Sequence, residues 1–150
     1  MSTFRFRAAV VLELRSRQER DAAAVLSRAE MSFVQARTRV SEAIRARQDA
    51  QTVELDRQRQ GATSSEIEWH RNWITRLAST VEERRAEFEL RQSEVRTAEQ
   101  AWRGARQRLL TIERMRERAW AKFQRAEQRE EMKVIDELVS LRYGAPDIDR

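Results

Sequence analysis

Apolar residues recur at seven-residue intervals through the second half of the chain, where Ile67, Ile74, Val81, Phe88, Val95, Trp102 and Leu109 form one column. A companion column, offset by three, reads His70, Leu77, Arg84, Arg91, Ala98, Ala105, Ile112, Ala119 and Ala126. Alternating spacings of three and four place both columns on one side of an α-helix and make a coiled-coil seam. The first half has the same spacing with the sizes reversed. Ala22, Ala29, Ala36, Ala43 and Ala50 stand in one column and Leu26, Phe33 and Val40 in the other.

One interruption divides the two halves: the small, turn-prone run Gly-Ala-Thr-Ser-Ser at 61–65. Ser64 or Ser65 is placed to cap the helix that follows, with Glu68 completing a capping box to Ser65. A second stop combines Tyr143 and Gly144 with the downstream Pro146. The pattern predicts an all-α fold, a long two-stranded antiparallel coiled-coil hairpin formed as a single domain over residues 1–150. Helix 1 is expected over about 6–58, the turn at 59–64, helix 2 over 65–142 and a tail at 143–150. At 1.5 Å per residue the helices would be roughly 80 and 115 Å long, too long to persist in water without a packed stripe.

An antiparallel hairpin pairs residues whose numbers add to a constant set by its turn. A constant of 124 centres the turn on Ala62 and faces Ala22 with Trp102, Ala29 with Val95, Ala36 with Phe88, Ala43 with Val81 and Ala50 with Ile74. Every Ala of that column then meets a large residue, as interdigitating layers require. The other column sets Leu26 near Ala98, Leu12 near Ile112 and Glu54 near His70, with Phe33 and Val40 under the aliphatic stems of Arg91 and Arg84. In this register helix 1 ends near Phe4, opposite Trp120, and helix 2 continues without an intramolecular partner. The overhang keeps an apolar side in Phe123, Ala126, Val134, Ile135, Leu138 and Leu141. An unpartnered apolar stripe points to a protein partner, with fraying or pairing of two tails as the alternatives.

Composition agrees with long helices. Hydrophobic residues make up 40% and charged residues 37% of the 150, too polar for an ordinary globular core, and three Gly and one Pro supply little material for turns. The net charge of +5 comes almost wholly from Arg, but acids are interleaved through most of the chain, as solvated helix faces require. The opening apolar stretch at 8–12 is cut short by Glu13 and does not read as a secretory signal. No segment approaches the roughly 20 apolar residues of a membrane span, so direct membrane insertion is not expected.

Chemistry-bearing patterns are missing. Cys is absent and His70 is the single histidine, which removes thiolate ligands and His-paired triads. The scattered glycines build no phosphate loop. No enzymatic activity and no cofactor, metal or nucleic-acid site is expected. Trp69 and Trp73 sit one turn apart beside the seam, where they either cover its edge or stand out as aromatic interface anchors.

Phe4, Arg5 and Phe6, followed by Leu12, Glu13, Leu14 and Arg15, are similar to the opening of the FliJ family, a small coiled-coil component of the bacterial flagellar type III export apparatus. Residues 112–118, Ile-Glu-Arg-Met-Arg-Glu-Arg, with the later Asp136 and Glu137, resemble that family's most recognisable stretch. The resemblance implies a cytoplasmic, central-stalk-like protein at the flagellar base, peripheral on the cytoplasmic side of the inner membrane, serving protein export and through it motility and chemotaxis. Its implied partners are a hexameric export ATPase (FliI-like), an export gate protein (FlhA-like) and chaperones of export substrates. ATPase binding would fall on Arg114, Arg116, Arg118, Phe123, Arg125, Ile135, Leu138 and Leu141. Gate binding would fall on Trp69, Trp73 and Leu77. Relatives often carry aromatics on the facing part of helix 1, where this chain has Ala43, Ala46 and Ala50. A stalk of a virulence secretion system and a basic helical nucleic-acid-binding protein are the competing readings.

Overall fold

The chain reverses where one glycine ends a helix and one threonine begins the next. In the computed structural model, which describes residues 3–144, α1 spans Ala9–Arg59 and α2 spans Ser64–Tyr143. Gly61 has φ 86°, the left-handed conformation that closes many helices. Its N–H donates to the Gln58 carbonyl (3.3 Å), and the Ala62 N–H donates to the Arg57 carbonyl (3.0 Å). This paired arrangement satisfies two carbonyls that the helix end would otherwise leave open. Thr63 then caps α2. Its hydroxyl accepts from the Glu66 N–H (3.3 Å), and its own N–H donates to the Glu66 carboxylate (3.2 Å). The capping box is therefore Thr63 with Glu66, not Ser65 with Glu68. Thr63 follows directly on the two-bond helix stop, so α2 starts as soon as α1 has been closed.

At the other end of α1 the first residues depart from the expected helix. Residues 3–6 are not helical and residues 7–8 form a turn before α1 begins at Ala9. An Ala9 N–H to Phe6 carbonyl bond (3.2 Å) and a Leu12 N–H to Ala8 carbonyl bond (2.9 Å) lead into the helix. Phe4 instead packs against α2, as described below. The C-terminal stop lies partly at Pro146, outside the described residues. Within them, the Gly144 N–H donates to the Ser140 carbonyl (2.7 Å).

No strand occurs among the described residues, and the two helices pack against one another as an antiparallel hairpin. Contacts divide the chain into two units, one formed by Met1–Glu19 with Ala105–Arg150 and one by Arg20–Gly104. In the second unit Val81 is fully buried and Ala36 and Ala98 nearly so. The rings of Phe33 and Phe88 meet at 5.0 Å, so Phe33 packs diagonally on Phe88 beside Ala36. The Arg91 guanidinium turns to Glu94 (3.0 Å), whose carboxylate holds it above the ordinary arginine range. Salt bridges cross the seam from Arg39 to Glu87 (3.1 Å) and from Arg71 to Glu54 (3.6 Å). Glu54 thus turns to Arg71, the neighbour of His70. In the first unit Ala105 and Leu109 are the buried core, and Arg106 reaches Glu19 across the seam at 3.8 Å.

Those cross-helix pairs fix the register in each unit. Residue numbers add to 125 for Glu54 with Arg71 and for Glu19 with Arg106, to 126 for Arg39 with Glu87, and to 121 for Phe33 with Phe88. All lie within three of the constant inferred from side-chain size. Ala22, Leu26, Ala29, Phe33, Val40, Ile74, Phe88, Val95 and Trp102 are half-buried, while Ala36, Val81 and Leu109 are buried.

Candidate functional site

In the unit containing both chain ends, Phe4 reaches from the non-helical N-terminal segment to α2. Its ring meets Trp120 edge-on at 5.0 Å and Phe123 at 5.5 Å, while Trp120 and Phe123 stack at 5.7 Å. A groove of about 570 Å³ lies beside this cluster, lined by Phe4, Phe6, Met115, Ala119, Lys122 and Phe123 among others. Trp120 remains 44% exposed, so Phe4 covers only part of it. The cluster marks the end of intramolecular packing. Glu127 is the last half-buried residue, and every residue from 128 to 144 is exposed.

Charge changes along the same helix. Residues 103–125 hold eight bases (Arg103, Arg106, Arg108, Arg114, Arg116, Arg118, Lys122 and Arg125) against two acids, Glu113 and Glu117. Helical spacing puts Arg114, Arg118, Lys122 and Arg125 on one side, away from the Ala105 and Leu109 core face. Arg116 does not join them. It continues the column of Leu109 and Phe123 and lines small hollows with Phe4 and Trp120 and with Ala9, Leu12 and Glu13. Phe123 likewise faces Phe4. Of the residues implied as partner contacts, Phe123 therefore packs within the chain, while Arg116 lies on the same side of α2 and stays exposed.

Beyond the cluster, Ile135, Leu138 and Leu141 stand exposed, and so do Met132, Val134, Val139 and Tyr143. The sequence reading singled out Val134, Ile135, Leu138 and Leu141 but passed over Met132, Val139 and Tyr143. Phe6 and Met115, which line the groove, were also missed. Met115 lies off the seven-residue columns, and only the non-helical path of residues 3–6 brings Phe6 to it.

In the unit containing the turn, Trp69 and Trp73 stack with centroids 6.3 Å apart and planes 13° from parallel. Both are exposed, at 62% and 42%, whereas Leu77 in the companion column is half-buried. The Trp69 ring also meets His70 edge-on at 5.1 Å. An exposed stacked pair offers a large apolar area with little side-chain freedom left to lose on binding. Among the described residues, no cluster of three or more His, Cys, Asp or Glu is placed to hold a metal. No helix among them is long and apolar enough to cross a membrane.

The family model described as Flagellar FliJ protein matches residues 4–146. The chain belongs to the FliJ family. This FliJ-family chain is thus a component of flagellar, type III protein export. Its fold is similar to the solved structure of a Chlamydia trachomatis protein described as a YscO homolog, with a TM-score of 0.50 and 18% identity over 99% of this chain and 100% of the other. No curated protein matches the chain at a significant level. The region 112–118, which carries the resemblance at the C-terminal side, forms the α2 stretch bearing Arg114, Met115, Arg116 and Arg118 between the Leu109 core and the aromatic cluster.

Proposed function

We propose that this chain is a non-enzymatic, stalk-like component of the flagellar export apparatus that binds the hexameric export ATPase through the unit carrying both chain ends. The observation that carries this reading is α2 continuing past its last intramolecular contact with an exposed apolar face. Ile135, Leu138 and Leu141 supply apolar contact, and the ridge of Arg114, Arg118, Lys122 and Arg125 suits acidic loops of a ring. Phe123 acts indirectly, by packing against Phe4 of the N-terminal segment, and the exposed Arg116 stands at the edge of that contact. A stalk biases a ring among conformations only through contacts that differ between those conformations, so ridge and apolar face must both reach the ring.

A chain ending at Gln128 tests the assignment, since it retains the aromatic cluster and every half-buried residue of α2. We expect unchanged helical content per residue and loss of stimulation of the cognate hexameric ATPase. Full stimulation by the shortened chain would remove the free segment from the function. Trp69 and Trp73 are the proposed contact for the export gate, with Leu77 supporting them from the seam and the alanines of α1 adding little. Substrate chaperones would be met by the same assembly on the cytoplasmic face of the inner membrane. The flagellar description of the matching family favours this setting over a virulence system.

The basic run at 103–125 supports one competing reading, nucleic-acid binding. A gel-shift series at two salt concentrations separates them, because phosphate binding weakens steeply with salt. No shift at the lower concentration is expected.

A further inference from the structure

The free segment of α2 has an order that coating by an unrelated partner would not require. Residues 131–142 read Glu-Met-Lys-Val-Ile-Asp-Glu-Leu-Val-Ser-Leu-Arg, and the pattern of residue types is nearly the same from either end. Pairing positions whose numbers add to 273 sets Ile135 with Leu138, Val134 with Val139, and Met132 with Leu141, each apolar with apolar. The same sum sets Glu131 with Arg142, acid with base. On a helix turning about 100° per residue, Ile135, Leu138, Glu131 and Arg142 centre one face. Val134, Val139, Met132 and Leu141 flank it symmetrically. Lys133, Asp136, Glu137 and Ser140 fall on the opposite side.

We infer that residues 131–142 form an antiparallel interface with the same segment of a second copy of this chain. A two-fold axis perpendicular to the helix relates residue i of one copy to residue 273 minus i of the other, which is the symmetry of the sequence pattern. Ile135 and Leu138 form the centre, Val134 and Val139 cover its sides, and a Glu131–Arg142 ion pair closes each end. Parallel pairing is opposed by charge, since it would bring Glu131 onto Glu131 and Arg142 onto Arg142 near the middle of the face.

The segment is free to pair in this way. Met132, Val134, Ile135, Leu138, Val139 and Leu141 are all exposed. The last half-buried residue is Glu127, four residues before the interface begins. Twelve residues cover only about 18 Å of helix. An interface that short falls below the standard size, so pairing is weak and depends on concentration. The inference stands independently of the ATPase reading. If both hold, self-pairing covers Ile135, Leu138 and Leu141 and excludes the ring, so a free copy would hide this face until it meets the assembly.

Sedimentation of the full-length chain over about 1–500 μM tests the pairing, with circular dichroism to confirm helicity. A monomer–dimer equilibrium is expected within that range. Glu131→Arg alone and Arg142→Glu alone each place like charges at both ends and should weaken dimerisation about tenfold or more. The double variant, Glu131→Arg with Arg142→Glu, should return to within about threefold of the parent. A chain that is monomeric throughout overturns the inference. So does a dimer indifferent to both reversals, or one that the double variant fails to restore. ATPase stimulation is measured separately on the same variants, so failure of the pairing leaves the ATPase reading to be judged on its own.

Discussion

Gly61 and Thr63 divide the work of the turn, and each can be tested alone. A Cβ at Gly61 would meet nothing within 4 Å, so Gly61→Ala carries only the cost of placing a non-glycine residue in the left-handed region. We expect a loss of about 1–2 kcal/mol in urea unfolding. Thr63→Ala removes the hydroxyl that accepts from the Glu66 N–H and should cost about 1 kcal/mol. Ser65→Ala should be neutral within about 0.5 kcal/mol, because Ser65 lies exposed inside the first turn of α2. A Ser65→Ala cost equal to that of Thr63→Ala would restore the expected capping box. Of two pairs with capping-box spacing, Thr63 with Glu66 and Ser65 with Glu68, sequence alone put the expectation on the second. The helix stop at Gly61 selects the first.

At the scale of the helices, the seam depends on alternating size. Val81 is fully buried, while Phe88 is half-buried against Phe33. Val81→Asp should therefore destabilise by more than about 3 kcal/mol, because it leaves a carboxylate without a partner inside the seam. Phe88→Asp should also lower the thermal midpoint, but by less, since its carboxylate can reach water. Equal midpoints for the two variants would contradict the burial difference. The three cross-seam salt bridges are exposed at one partner at least and refine register more than they add stability. The large-against-small pattern was legible in sequence because the Ala column faces bulky residues under constants of 117, 124 and 131, and the turn at 61–65 selects 124. The Phe33–Phe88 contact was not, because an aromatic ring reaches diagonally past its formal partner.

For the whole molecule, the proposed ATPase contact lies where α2 outruns α1. Truncation after Gln128 is expected to separate folding from ATPase stimulation. A Trp69→Ala, Trp73→Ala double variant should leave the thermal melt within a few degrees of the parent, since both rings are exposed. The same variant should reduce motility and gate binding in cells; normal motility would assign the stacked pair to edge cover. Charge-ridge variants make a complementary prediction. Replacing Arg114, Arg118 and Arg125 with Gln should weaken ATPase stimulation, with the deficit growing at low salt and shrinking as salt screens the parent's advantage. A deficit independent of salt would argue for a packing effect.

The sequence by itself determined the helices, the seam, the approximate register and the unpartnered overhang, because heptad spacing and side-chain size act along one dimension and can be read residue by residue. Tertiary structure decided where the N-terminal segment leaves the helix, since Phe4 gains more by packing on Trp120 and Phe123 than by extending α1 into water. That packing draws Phe123 inward, leaves the Arg114 ridge outside and leaves Glu127 as the last half-buried residue of α2. A column of residues states which face is apolar; only the path of the other chain segment states how much of that face remains free.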